Sequence, residues 1–221
     1  MADPAHPHIT VPPLTADQQQ LADAFGARQP ILEAHRESLE DKARQALHEV
    51  PHIDRLSFRV KDRASFARKC RPVGKRALYA DPLAEVEDQV AGRVIVFFSH
   101  DLQVVEERLS TWFTGLVEAT KKRPERATEF GYESDHYILA IDEHLKPAGW
   151  YEAGSMPTTF ELQIRTLFMH AWAEPQHDLG YKGSSVTDEH SRMLAWVAAS
   201  AWGADRMFED AWMAINAQAS P

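Results

Sequence analysis

Residues 158–165, TTFELQIR, alternate in character from Phe160 onward: Phe160, Leu162 and Ile164 are apolar, whereas Glu161, Gln163 and Arg165 are polar or charged. A period of two belongs to a β-strand with one buried face, so the second set shares the opposite face. Upstream, residues 146–157 hold two glycines and two prolines and read as a loop. The loop follows a second strand, Ser134–Asp142, so the two strands form a hairpin. Further upstream, Gly92–Phe98 (GRVIVFF) is a continuous apolar run, as in a central strand covered on both faces. Ile53–Lys61 alternates again, with Leu56, Phe58 and Val60 on one side and Arg55, Ser57, Arg59 and Lys61 on the other.

Helical patterns interleave with these strands. Thr15-Ala16-Asp17 opens one helix, and an amphipathic helix follows from about Pro30 to Val50, stopped by Pro51. Residues 62–70 form a helix capped by Asp62. Asp101–Val117 repeats apolar residues every three or four positions, and Leu167–His177 is a further helix, interrupted or ended near Pro175. Asp188–Ala217 is a final amphipathic helix or helix pair. Its Trp196, Trp202 and Trp212 read as core or an association surface rather than a stacking platform. Arg71–Pro82 and Lys121–Phe130 read as irregular. The expected fold class is α+β, with a mixed central sheet of about five strands flanked by helices. Residues 1–14, with four prolines, are expected to be a flexible arm; 15–51 N-terminal helices; 52–183 the core; 184–221 a C-terminal helical segment.

Composition narrows the class. In 221 residues, 44% hydrophobic and 26% charged, there is material for a packed core, which excludes a disordered chain. The single cysteine, Cys70, excludes an intrachain disulfide. No apolar run approaches the roughly 20 residues of a membrane span. The N-terminal MADPAHPHITVPP lacks the pattern of a secretory signal, so a cytoplasmic protein is expected. The net charge of −9 is uneven: Arg55–Arg76 contains nine basic residues and one acid. Such a concentrated positive field on an acidic body favours a small polyanion over a long duplex.

The candidate chemistry lies in five places. On the 158–165 strand, Glu161 can hold a metal, Gln163 a hydroxyl or base edge, and Arg165 a phosphate. Asp88 at the mouth of the central strand, with Arg93 after it, suits magnesium and phosphate. Gly131-Tyr-Glu-Ser-Asp-His136 offers Tyr132 for stacking on a base, and Ser134 and His136 on one strand face for a phosphate or hydroxyl. Arg59, Lys61 and Lys69 supply cations. His170, Glu174 and His177 sit at helical spacing; a polar helix face near phosphates is the favoured reading over a zinc site.

These segments resemble, in order, motifs of the synthetase domain of the RelA/SpoT family of alarmone synthetases. Arg59-Val-Lys61 with Lys69 is similar to its R-x-K and downstream lysine, and DQVAGRVIV (88–96) to its D-x-x-A-x-R-V-I-V strand. GYESDH (131–136) is similar to G-Y-x-S-x-H, and ELQIRT (161–166) to E-[VIL]-Q-[IL]-R-T. Met169–Glu174, His177 and Tyr181-Lys182 follow the family's next helix. The resemblance implies a nucleotidyltransferase-like domain that moves the pyrophosphate of ATP to a nucleotide 3′-hydroxyl and releases AMP. It implies Asp88 and Glu161 as catalytic carboxylates holding Mg²⁺. Arg59, Lys61, Lys69 and Arg93 would bind ATP; Tyr132, Ser134, His136, Gln163, Arg165 and His170 would surround the acceptor. No stretch matches the family's HD hydrolase domain, so hydrolysis of the product is not expected.

The acceptor stays open. The family's K-P-N-G-Y reads Thr128-Glu-Phe-Gly-Tyr132 here, and Lys121, Lys122, Arg123 and Arg126 stand beside it. GDP or GTP is the first expectation. The alternatives are an adenosine nucleotide, or the tRNA 3′ end as in toxins of the family paired with an antitoxin. A catalytically silent nucleotide-binding module is the reading from a different class. A homo-oligomer through the C-terminal helices is a further expectation, and no membrane partner is.

Overall fold

The computed structural model describes residues 12–123, 126, 129–131, 134–180 and 187–219. Most of the expected N-terminal arm therefore lies outside the described residues. Helices α1 (Ala16–Gly26) and α2 (Gln29–Ala46) come first. Thr15 caps α1 through a reciprocal box: its hydroxyl accepts from the Gln18 N–H at 3.3 Å, and the Gln18 side chain accepts from the Thr15 N–H at 3.0 Å. Strand β1 (Ile53–Val60) leads into α3 (Arg63–Cys70), whose cap Asp62 accepts from the Ser65 N–H at 2.9 Å. A short α4 (Pro82–Glu85) and a 3₁₀ turn (Glu87–Gln89) deliver β2 (Val90–Val96). Then follow α5 (Asp101–Trp112), β3 (Leu116–Lys122), β4 (Ser134–Ala140), β5 (Thr159–Thr166), α6 (Leu167–Gly180) and α7 (Asp188–Ala219).

The five strands make one mixed sheet in the order β1-β2-β5-β4-β3, with β2 and β5 parallel and every other pair antiparallel. Pairing register assigns its two faces. Leu56, Phe58, Val94, Phe160, Leu162, Ile164 and Leu139 point to a core completed by Leu32, Leu39 and Ala43 of α2 and Val105 and Leu109 of α5. Full burial of such a side chain contributes about 1.5–3 kcal/mol, so this face accounts for most of the sheet's stability. Gly92 sits opposite Phe58, and a Cβ there would lie 2.4 Å from the Phe58 ring and 2.8 Å from Leu162. Only glycine lets the ring cross the strand.

Several expectations are corrected. The helix expected over 101–117 stops at Trp112, because Phe113 leaves helical backbone angles (φ −116°, ψ 87°). The Gly115 carbonyl accepts from the Ala140 N–H at 2.7 Å, which draws the chain onto β4 as the edge strand β3. Lys121 and Lys122, read as the start of an irregular stretch, are the last residues of that strand. The helix expected to be interrupted or to end near Pro175 continues to Gly180 with the proline inside it; Trp172 and Ala173 pack with Ala198 of α7, and this packing offsets the proline penalty. The helix expected to reach Val50 ends at Ala46 in a turn, and His52 then takes left-handed angles (φ 61°). Trp196 and Trp202 of α7 are exposed, hence not core. Among the described residues no helix is long and apolar enough to cross a membrane.

Candidate active site

The sheet face away from the core carries Arg55, Ser57 and Arg59 from β1, Ala91 and Arg93 from β2, Glu161, Gln163 and Arg165 from β5, and Ser134 and His136 from β4. Register thus gathers side chains from four strands. At one end stands Asp88, on the 3₁₀ turn just before β2. Buried Gln89 secures that turn by donating to the carbonyls of Leu83 (2.9 Å) and Val86 (3.0 Å). The Gln89 carbonyl accepts from the Lys61 N–H at 2.9 Å, which ties the end of β1 to the same place.

Asp88 is gripped from two sides. Lys61 Nζ donates to Oδ2 at 2.6 Å, and Lys69 Nζ, from α3, to Oδ1 at 2.8 Å. Burial opposes ionisation of this carboxyl, but the two ammonium groups outweigh it and hold it below the ordinary carboxylate range. Lys69 is affected in the opposite sense: burial disfavours its charge, while Asp88 raises it above the usual lysine value.

Glu161 opens the polar face of β5. It is in register with Ala91, three residues after Asp88. Its carboxylate accepts from His136 Nδ1, and His136 is in turn the β4 partner of Gln163. Burial again opposes ionisation; the His136 bond and charge, with a smaller contribution from Gln163, hold Glu161 below its ordinary value. Asp88 pushes in the opposite direction, so the two acids lie within electrostatic reach. Two ionised oxygen donors, one on the turn just before β2 and one on the adjoining β5, fit a hard divalent cation.

Further along the same face is a cationic group. Arg165, 4% exposed, is fixed by Nε donating to Ser134 Oγ (3.0 Å) and Nη2 donating to Gln163 Oε1 (2.6 Å). Glu174 of α6 reaches in, 2.7 Å from Arg93 Nη1, 3.6 Å from Arg165 Nη1 and 3.7 Å from His170 Nδ1. Burial, then Arg93, lower the His170 pKa, so this imidazole is neutral at pH 7.

The residues singled out by sequence therefore fall into groups. Lys61, Lys69, Asp88, Glu161 and His136 come together, with Arg59 exposed beside them on β1. Arg93, Gln163, Arg165 and His170 form the second group. Ser134 is corrected: wholly buried, with its hydroxyl occupied by Arg165, it braces the guanidinium rather than facing a ligand. Tyr132 and Tyr181-Lys182, and the His177 side chain, lie outside what is described. Of the basic run, Lys121 pairs with Glu106 (2.7 Å), Arg123 with Asp135 (2.8 Å) and Arg126 with Glu129 (3.7 Å); the Lys122 side chain lies outside what is described. Glu174 was legible only as part of a polar helix face; its contact with Arg93 joins distant parts of the chain.

Residues 58–186 match a family described as a region found in RelA / SpoT proteins. The GTP pyrophosphokinase YjbM of Bacillus subtilis (strain 168) is 31% identical over 161 residues, covering 72% of this chain and 70% of that protein. The crystal structure of small alarmone synthetase 1 from Bacillus subtilis bound to its product pppGpp is similar with a TM-score of 0.66 and 24% identity. That match covers 90% of this chain and 99% of the other. A GTP pyrophosphokinase family protein from Streptococcus pneumoniae gives 0.65 at 25% identity, covering 94% and 100% respectively.

Proposed function

The chain belongs to the RelA/SpoT family, and on that premise we propose that it transfers the β,γ-pyrophosphate of ATP to the 3′-hydroxyl of GDP or GTP, releasing AMP. One observation carries the reading: two ionised carboxylates, Asp88 and Glu161, stand at the same end of the parallel pair β2–β5 on a face otherwise lined with cations.

The acceptor oxygen bonds to the β-phosphorus as the bond from that phosphorus to the α–β bridging oxygen breaks, and AMP leaves with that oxygen. Negative charge on the phosphates and a weak alcohol nucleophile are the two obstacles. Arg59, Lys61, Lys69 and Arg93 neutralise and orient the donor's phosphates. Glu161, ionised at neutral pH and backed by His136, accepts the hydroxyl proton. Arg165, held by Ser134 and Gln163, meets acceptor phosphates from a fixed position, with neutral His170 beside it; Tyr132 stacks on the acceptor base. Asp88 and Glu161 would hold Mg²⁺, which when bound supplies further charge neutralisation on the phosphate oxygens. The pairing of Lys121 with Glu106 and of Arg123 with Asp135 makes these two cations less available to a tRNA backbone, which favours a free nucleotide as acceptor.

Incubation of the purified chain with labelled ATP and Mg²⁺, in separate arms with GDP, GTP, ADP and bulk tRNA, tests the proposal. AMP and a 3′-pyrophosphorylated guanosine nucleotide in equal amounts are expected, with Glu161→Gln slower by roughly a hundredfold or more. Label passing only to ADP or tRNA would overturn the acceptor assignment. Nucleotide binding without AMP release in any arm would overturn the enzyme reading.

A further inference from the structure

Far from Asp88, beyond the other end of β2, four ionisable side chains converge that the proposed chemistry does not use. His52 Nδ1 lies 3.2 Å from Asp101 Oδ1, and His100 Nε2 lies 3.4 Å from the same oxygen. The seven residues of β2 separate this cluster from the carboxylate pair by about 20 Å. We propose that His52, His100 and Asp101 form a binding site for a zinc-class divalent transition metal.

Three observations carry it. The first is geometric. Ligands about 2.0–2.1 Å from a tetrahedral zinc stand roughly 3.3–3.4 Å from one another, and the two separations, 3.2 and 3.4 Å, lie close to that edge. The ligand atoms of all three side chains lie within 4.8 Å of one another. Two imidazoles and one carboxylate are the donor set of zinc rather than magnesium, and three protein ligands leave a fourth position for water.

The second is the support behind the ligands. His100 presents Nε2 to the cluster because its Nδ1 is held by Glu209 of α7, at 2.8 Å from Oε1 and 3.0 Å from Oε2. A carboxylate on the far nitrogen of a ligating histidine fixes the ring and strengthens it as a donor. Glu209 is itself buried. The other oxygen of Asp101 accepts from the Phe98 N–H at 3.3 Å, which leaves Oδ1 directed at the two histidines.

The third is backbone strain. His52 is the non-glycine residue, among those described, with positive φ, and left-handed angles are costly for a residue with a Cβ. That conformation turns the chain between α2 and β1 so that the His52 ring meets Asp101, while its carbonyl accepts from the Phe97 N–H at 3.0 Å. A bound ion would thereby link the start of β1 to the start of α5. Through His100, Glu209 and the Trp212 ring 4.4 Å from the His100 ring, it would also hold α7 against the sheet.

The test uses the full chain stripped of metal by a chelator. Titration with Zn²⁺ alone by calorimetry should show one equivalent bound, and Co²⁺ alone should give the visible bands of a tetrahedral ion. His52→Gln should weaken Zn²⁺ binding at least tenfold, whereas Asp88→Asn with Glu161→Gln should leave that equivalent in place. Should His52→Gln fail to fold, side-chain nitrogen spectra of the wild-type histidines replace it: Zn²⁺ must shift His52 and His100. The proposal is overturned by no zinc binding at micromolar concentration. It is equally overturned by binding that survives His52→Gln unchanged, that disappears in the carboxylate double variant, or that leaves both histidine signals unmoved.

Discussion

Replacing Asp88 by Asn separates two properties that this carboxylate combines. The side chain keeps its size and loses its charge, while Lys61 Nζ at 2.6 Å and Lys69 Nζ at 2.8 Å remain aimed at it. Lys61 is sheltered, its side chain 14% exposed, so its hydrogen bond to a charged partner contributes about 1.5–3 kcal/mol. Lys69 is 38% exposed, and solvent screening reduces its pair to about 0.2–1 kcal/mol. Together they set an expected loss of about 2–4 kcal/mol, to be read from urea unfolding curves with unchanged slope. Glu161→Gln should cost less, because His136 retains an amide oxygen to donate to and one imidazole is left in place of two ammonium ions. Both variants should lose AMP release by roughly a hundredfold or more. The two measurements can therefore disagree. Asp88→Asn as stable as the wild type to within about 0.5 kcal/mol would refute the two-lysine clamp. Asp88→Asn that is destabilised yet fully active would refute its place in the chemistry and leave the clamp standing.

Gly92→Ala should destabilise by about 1–3 kcal/mol through the clash with Phe58, and Phe58→Leu in the same chain should recover part of that loss in a double-mutant cycle; additive costs would remove the clash as the cause. His170 titrates below 6.5 when folded, so between the folded and unfolded pKa values the unfolded chain binds more protons and stability falls as pH drops from about 6.5. Melting temperatures from pH 8 to 5 should show this fall, and His170→Gln should reduce it, with buried His35, whose pKa burial also lowers, accounting for a remaining part. Asp88 and Glu161, both depressed, add a separate loss only below about pH 4. Burial pushes the Cys70 thiol up to about 11, so a thiol reagent at pH 8 should label the native chain far more slowly than the chain in denaturant; equal rates would contradict its burial.

The elements read correctly from sequence are those whose burial imposes a period. β5 and β1 alternate because one face of each meets the core; β2 reads as apolar because Val94, Ile95 and Val96 are all buried, with Arg93 alone on the polar face charged. β3 has no such signature. It is an edge strand whose Leu116 and Val117 are exposed, so nothing in its side chains marks an inner face, and the preceding helical rhythm runs on into it. Local rules failed at Pro175 for the complementary reason: packing on α7, invisible from α6 alone, outweighs a missing hydrogen bond. The candidate site was legible as residue types and motif order, but not as contacts. Glu174 on Arg93, Ser134 under Arg165, and the meeting of His52, His100, Asp101 and Glu209 all join residues distant in the chain.

Strand direction decides whether Asp88 and Glu161 can act on one substrate. Each acid stands at or before the start of its strand, Asp88 two residues ahead of β2 and Glu161 near the beginning of β5. In parallel neighbours, strand starts lie at the same sheet edge, and the register pairs Ala91 with Glu161. Had β2 and β5 run antiparallel, the same residues would sit about 20 Å apart across the sheet, too far for one triphosphate's reacting end. The hairpin visible in the sequence fixes only β4 against β5. β2 has its backbone hydrogen-bonded on both edges, one partner supplied by β1 and the other by β5. The parallel pairing of β2 with β5 thus brings the two carboxylates to one place, and polar chemistry on one face of the sheet depends on the apolar packing of Phe58, Val94, Leu162 and Ile164 on the other.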